Sequence, residues 1–337
     1  MYPTTCCPSC LKEEVNLPDY DKRKLGKQAQ ELGFVRDTLE KVYRLAEVLK
    51  YLNTNPLPKN ALALKGGTAI NLTFFNLPRL SIDLDLDYLH NNTLDEMLAE
   101  RRRISESIIK YMEANGYELS LQSKTTHTLD SYVFSYMNAA GMKDNIKIEI
   151  NYSLRAHILP TEHRGVETLG LFDELTVHSL AALEIFGSKI VALLTRTAAR
   201  DLYDLNNMIY FGLFDECQWP MLKKCAVFYS ALGGEKASTF CRFDNINSLT
   251  NHKIKTDLLP VIRRTEHFDL QSVQKRVKGF LATLMCLDEG EKAFLRSFAQ
   301  KEYRPDLLFD DKEILSRVQN HPLVLWKMRN PLREPFR

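Results

Sequence analysis

The stretch Leu64-Lys65-Gly66-Gly67-Thr68-Ala69-Ile70-Asn71, followed by Arg79-Leu80-Ser81-Ile82-Asp83-Leu84-Asp85-Leu86-Asp87, decides how this chain is read. In the second block apolar Leu80, Ile82, Leu84 and Leu86 alternate with Ser81, Asp83, Asp85 and Asp87. Successive side chains of a strand point to opposite faces, so the alternation predicts a strand with three aspartates on one side. Carboxylates one strand repeat apart can share divalent cations, which clamp a triphosphate and activate an attacking oxygen. In the first block Gly66 and Gly67 lack Cβ atoms, so the backbone can turn tightly and bring its N–H groups to a polyphosphate. Thr68-Ala69-Ile70-Asn71 then opens a helix behind the turn.

Each block alone says little. Most Gly-Gly-Thr turns only connect elements, and an exposed strand face often carries solvated charge. The order is what joins them: a buried strand at Ala61–Leu64, a glycine turn, a helix from Thr68 to Phe75, then the acidic strand. Downstream, Ile146, Ile148 and Ile150 alternate with Lys147, Glu149 and Asn151, which predicts a strand at Ile146–Tyr152 and places Glu149 to supply a third carboxylate. Without the upstream motif the same pattern would read as a surface strand with a Lys–Glu pair.

The blocks LKGGTAINL and RLSIDLDLDY resemble the diagnostic segment of the AbiEii/AbiGii-type toxin nucleotidyltransferases, a branch of the DNA-polymerase-β-like nucleotidyltransferase superfamily. The resemblance continues in GFVRDTLEKVYRLAEVLKYL, KIEINY and SKIVALLTRTAARDLYDL, and more loosely near FLRSFAQ, covering residues 30 to 310. One departure is the spacing, since residues 68 to 82 separate the diglycine from Asp83, longer than the tightest superfamily pattern. The resemblance implies an α/β (α+β) fold with a polymerase-β-like core, a mixed sheet and a helical C-terminal domain. It implies nucleotidyl transfer from an NTP to an RNA, the 3′ end of tRNA above all, and a cognate antitoxin protein. A lysine and an aspartate of the family's active site, the latter in an R-D-x-x-D segment, map onto Lys189 and onto Asp201 within Arg200-Asp201-Leu202-Tyr203-Asp204. Asp204 remains a rival, because its helical phase relative to Lys189 is better.

In the mechanism these residues suggest, Asp83 and Asp85 hold Mg²⁺ (or Mn²⁺) on the nucleotide phosphates and Glu149 helps complete a second position. Ser81 and the Gly66-Gly67-Thr68 backbone meet the triphosphate, and Lys189 contacts the phosphates or the leaving pyrophosphate. Arg79 and Arg196 either bind phosphate or pair with Asp87 and Asp204. Lys189, Arg196 and Arg200 share one face if their helix is unbroken, and a break near Thr197 would bring Asp201 in. His90, His127, His157 and His163 show no partner spacing and receive no role.

With 337 residues the chain is long enough for two domains, and 45% hydrophobic with 26% charged residues is ordinary for a globular protein. The expected division is an arm at 1–22, a nucleotidyltransferase core at 23–175 and a helical domain at 176–337. A helical, amphipathic pattern runs from Lys24 to Tyr51, and Leu94 to Asn115 reads as a long helix closed by Gly116. Strands are expected at Tyr117–Gln122 and Ser131–Asn138. No stretch approaches a membrane span and the N-terminus lacks a signal peptide's apolar core, so a cytoplasmic protein is expected. Seven irregularly placed cysteines fit reduced thiols, and the Cys6/Cys7/Cys10 cluster has no second ligand pair for zinc.

A net charge of +2 requires an RNA surface to be local. Arg101-Arg102-Arg103, Lys223-Lys224 and Arg263-Arg264 are the clusters available, with Tyr203 and Tyr210 as stacking platforms; a solvated helix face is the alternative for each cluster. Two other functions compete: nucleotidylation of a small molecule or protein hydroxyl, and a non-catalytic nucleotide- or RNA-binding module.

Overall fold

Strand β1 (Leu62–Lys65) ends at the diglycine, and strand β2 (Asp83–Tyr88) returns antiparallel beside it. The computed structural model describes residues 20–168, 173–234, 240 and 243–330. The Cys6/Cys7/Cys10 cluster lies outside them. The apolar half of the alternation goes inward as expected, with Leu80, Leu84 and Leu86 buried. Each such leucine contributes about 1.5–3 kcal/mol by leaving water, which fixes the strand's facing and turns Asp83 and Asp85 outward.

The sheet continues through β3 (Glu118–Leu119), β4 (Lys124–Thr125), β5 (Leu129–Met137), β6 (Lys143–Asn151), β7 (Glu162–Gly165) and β8 (Thr176–Ser179). It is mixed, in the order β3-β5-β6-β2-β1-β8-β7 with β4 beside β5. β2 pairs parallel with β6 and β1 parallel with β8, while β1–β2, β5–β6 and β7–β8 are antiparallel. The register is decisive for function: Asp85 is flanked by Lys65 on one side and Glu149 on the other, and Asp83 lies beside Lys147. The strand expected over Tyr117–Gln122 shrinks to Glu118–Leu119, because both residues are exposed at the sheet's edge.

Helices differ from expectation mainly at their ends. The pattern from Lys24 to Tyr51 is two helices, Lys22–Leu32 and Arg36–Thr54, since Gly33 adopts a left-handed conformation (φ 77°) and ends the first. Helix Leu94–Ala114 begins at a Thr93–Glu96 capping box and stops before left-handed Gly116. The turn after the diglycine is helical over Gly66–Ala69 and widens to a π-helical turn over Ile70–Phe74. Helix Ala182–Arg196 ends at Thr197, whose φ is 50°, and Ala199–Tyr210 starts two residues later. This is the break that the Lys189–Asp201 pairing required. Beyond it the described elements are all helical through Pro322–Arg329, and the described apolar side chains form one continuous core. No helix among the described residues is long and apolar enough to cross a membrane.

Candidate active site

A cavity of about 370 Å³ opens where the diglycine turn, β2, β6 and the Thr197 break converge. Gly66, Gly67, Ser81, Asp83, Asp85, Glu149, Lys189 and Asp201 all line it. Residues spread over more than a hundred positions are thus gathered at one place. Gly66 has a φ of 69°, and a Cβ there would overlap the Asp85 carboxylate. At Gly67 a Cβ would come within 2.6 Å of Arg79 Nη2 and 3.3 Å of Ser81 Oγ. Gly66 is therefore required by contact and by turn geometry, and Gly67 by contact.

The carboxylates of Asp83 and Asp85 make no hydrogen bond or ion pair among the described residues. Burial pushes the Asp85 carboxyl above the ordinary carboxylate range; Lys65 and Lys189 pull it back, and Glu149 and Asp83 add to the rise. Glu149 differs, because Lys147 two residues earlier on the same face holds it at 2.8 Å. Among the described residues no three carboxylate, histidine or cysteine side chains close on one point as a ready ligand set. The donor chemistry nonetheless suits a hard divalent cation: unpaired carboxylate oxygens in a strand repeat, with no sulfur or imidazole among the cavity's residues.

Opposite the acidic strand lies a buried ion network. Lys189, 7% exposed, places its Nζ 2.9 Å from Asp201 Oδ1 and 3.1 Å from Asp204 Oδ2. Burial works against the ammonium's charge, but Asp204 and then Asp201 outweigh it and raise the lysine's pKa. Arg79 forks onto Asp204 at 2.8 and 2.7 Å. Arg196 forks onto Asp201 at 2.7 and 3.0 Å. Burial alone would raise both aspartates, yet Lys189 with Arg196 lowers Asp201, and Arg79 with Lys189 lowers Asp204. Both rivals for the catalytic aspartate therefore touch Lys189. Only Asp201 also lines the cavity; Asp204 is sealed behind Arg79.

Several expectations are corrected. Arg79 pairs with Asp204 and Arg196 with Asp201, both arginines still lining the cavity, and Asp87 is buried against Lys65 at 2.5 Å, not against an arginine. Thr68 is buried and does not line the cavity; its hydroxyl donates to the Asp83 carbonyl and shares a hydrogen bond of 2.8 Å with the Ser81 hydroxyl, tying the turn to β2. Arg101 leaves the basic run to bind Asp130 at 2.6 and 3.0 Å in the interior. Lys223 pairs with Glu291, Lys224 with Asp310, and Arg263 donates to the Leu32 carbonyl beside the Phe34 ring. Tyr203 is buried, its hydroxyl donating to Glu266 and to the Pro78 carbonyl, and offers no stacking face; Tyr210 is exposed.

Three cavity residues escaped the site reading of the sequence. Lys147 was visible as Glu149's neighbour in the alternation, and Arg200 as a cation near the break; Arg200 has no ion pair among the described residues. Asp257 arrives from the distant turn Ile254–Leu258 and has no local signal. His157, given no role, meets Glu184 at 3.3 Å, a partner 27 residues away.

A mixed sheet that presents unpaired carboxylates beside a diglycine turn and a buried lysine is the arrangement of a nucleotidyltransferase. The profile of the nucleotidyl transferase AbiEii toxin family, type IV toxin–antitoxin system, matches residues 48–284, and the chain belongs to that family. The enzyme is accordingly a nucleotidyltransferase toxin of a type IV toxin–antitoxin system. Among solved structures it is similar to MenT4, a nucleotidyltransferase toxin from Mycobacterium tuberculosis H37Rv, with TM-score 0.56 and 18% identity over 90% of this chain and 98% of that one. At that identity the likeness speaks to the fold. No curated protein matches the chain by sequence.

Proposed function

We propose that the chain transfers a nucleotidyl group from an NTP to an RNA, with the 3′ end of tRNA as acceptor, and releases pyrophosphate. The observation that carries this reading is the pair of unpartnered carboxylates, Asp83 and Asp85, facing Lys189 and Asp201 across the cavity bordered by the diglycine. Asp83 and Asp85, joined by Glu149 once it leaves Lys147, would hold Mg²⁺ or Mn²⁺, which when bound supplies Lewis-acid stabilisation at the α-phosphate and its leaving group. Backbone N–H groups of Gly66 and Gly67, with the Ser81 hydroxyl, orient the triphosphate. Lys189 keeps a permanent positive charge, because two carboxylates hold its proton, and directs that charge to the phosphates. Asp201 positions the lysine, and Arg196 restrains Asp201.

As a toxin of a two-component system the protein acts beside an antitoxin that restrains it, and its place of action in this reading is the cytoplasm, where NTPs and tRNA are found. Transfer of label from α-labelled NTPs to total RNA, small-molecule extract and protein, each with and without Mg²⁺ or Mn²⁺, tests the proposal. Label on RNA that disappears with chelator supports it. Label only on small molecules or protein transfers the acceptor role to those, and no metal-dependent label on any fraction overturns the reading.

A further inference from the structure

A second hollow, about 530 Å³, lies along helix Ala199–Tyr210 beyond the catalytic cavity. Its wall contains exposed aromatic surface, which a folded chain ordinarily covers: Tyr210 is 66% and Phe211 59% exposed, with their rings 5.2 Å apart. The Arg276 guanidinium sits 5.4 Å from the Tyr210 ring centre and donates to Asn206 Oδ1 at 2.7 Å. Aromatic faces, a cation at the ring and side-chain amides on one wall are the elements that hold an unstacked nucleobase and its phosphate.

Placement strengthens the case. Arg200, Tyr203, Asn207 and Tyr210 fall at i, i+3, i+7 and i+10, a single stripe of the helix whose middle, Tyr203 and Asn207, is buried and whose two ends are not. At one end of this stripe, Arg200 lines the catalytic cavity without an ion-pair partner among the described residues. At the other, Tyr210 lines the hollow. The ten helical residues from Asp201 to Tyr210, nine steps apart, span roughly 13 Å at 1.5 Å per residue, a reach that a short single-stranded end covers. Pro78, adjacent in the chain to Arg79 of the cavity wall, also lines the hollow.

We infer that the Tyr210–Phe211–Arg276 hollow binds a nucleobase of the single-stranded acceptor end of RNA, upstream of the terminal hydroxyl presented at Asp83 and Asp85, with Arg200 taking an intervening phosphate. The inference rests on the RNA-acceptor reading. Stacking explains why a protein with little net charge needs no broad basic face: the aromatic contact supplies affinity that screening does not remove.

The test is fluorescence-anisotropy binding of a labelled short single-stranded RNA and of whole tRNA to the full chain, as wild type, Tyr210→Ala, Tyr210→Trp and Arg276→Gln. Tyr210→Ala should weaken RNA binding by about 5- to 100-fold, the loss of one stacked base, and raise the RNA KM alike. Tyr210→Trp should restore binding, and the NTP-induced shift in melting temperature should persist in all variants. If wild type binds RNA and Tyr210→Ala and Arg276→Gln bind it equally well, the hollow is not the subsite while the RNA reading stands. If wild type binds no RNA, both fall together.

Discussion

Gly66 and the Asp85 carboxylate are in direct contact, so close that a single methyl group at position 66 would occupy the carboxylate's place. The turn that is to receive phosphate and the strand that is to hold metal are thus one packed unit. Gly66→Ala should therefore fail twice: by forcing an L side chain to a φ of 69° and by displacing Asp85. Gly116 provides the control, since its φ is 77° and nothing lies within 4 Å of its Cβ position. Both variants should lose about 1–2 kcal/mol to left-handed strain, measured by urea denaturation. Only Gly66→Ala should also lose nucleotidyl transfer, by at least a hundredfold; equal activity in the two would disconnect the turn from the site.

Asp85→Asn and Asp83→Asn should abolish transfer without destabilising the protein. Burial already disfavours the charged Asp85, and Glu149 and Asp83 repel it, so removing the charge relieves a cost. Melting temperatures should stay level or rise, and the rise produced by Mg²⁺ with NTP in wild type should vanish. A variant with wild-type turnover at limiting Mg²⁺ would defeat the metal assignment.

The two aspartates on Lys189 should separate in their effects. Asp204→Asn leaves Arg79 and Lys189 short of a buried counter-charge, and breaking such a pair costs about 3–5 kcal/mol. Asp201→Asn leaves Lys189 with Asp204, and Arg196 is 64% exposed and can turn to water; its cost should be smaller, with turnover falling instead. Lys189→Ala should lower turnover of the folded fraction by about two to three orders of magnitude, the worth of one electrostatic donor. Denaturation midpoints alongside kcat give the answer, and an Asp204 variant that is stable but inactive would reverse the assignment.

His321 supplies a pH dependence. It is fully buried beside Phe228, both ring nitrogens lack a hydrogen-bond partner among the described residues, and burial, assisted by His157, pushes its pKa down to about 4. The folded state thus keeps the ring neutral where the unfolded chain, titrating near 6.5, takes up a proton. Its contribution is present above pH 6.5 and is lost as pH falls from there toward 4, by about 3 kcal/mol at most. His157 runs the other way: burial opposes its charge, Glu184 overcomes this and raises its pKa, so its contribution is full below pH 6.5 and lost as pH rises through the folded value. His321→Phe should flatten the acid-side loss between pH 6.5 and 4.5 in denaturant titrations, and an unchanged slope would show that His321 takes up its proton alike in the folded and unfolded states.

What the sequence by itself determined is local and periodic. Strand alternation put Asp83 and Asp85 on one face and Glu149 on a parallel one, because side-chain direction in a strand has a period of two wherever the strand ends up. The diglycine was legible from its own residues, whereas Lys189 and the R-D-x-x-D aspartate were placed in the site only by the family resemblance. Tertiary structure alone decided which charges are free. Asp87, identical in pattern to Asp85, is neutralised by Lys65 across β1–β2, whereas Asp85 is left open by the contact with Gly66. Arg79 finds Asp204 at a separation of 125 residues, and Arg101 turns inward to Asp130 while its exposed neighbours Arg102 and Arg103 do not. A charge's partner is set by the nearest opposite charge in space under the cost of burial, and neither distance nor desolvation is written in the order of residues along the chain.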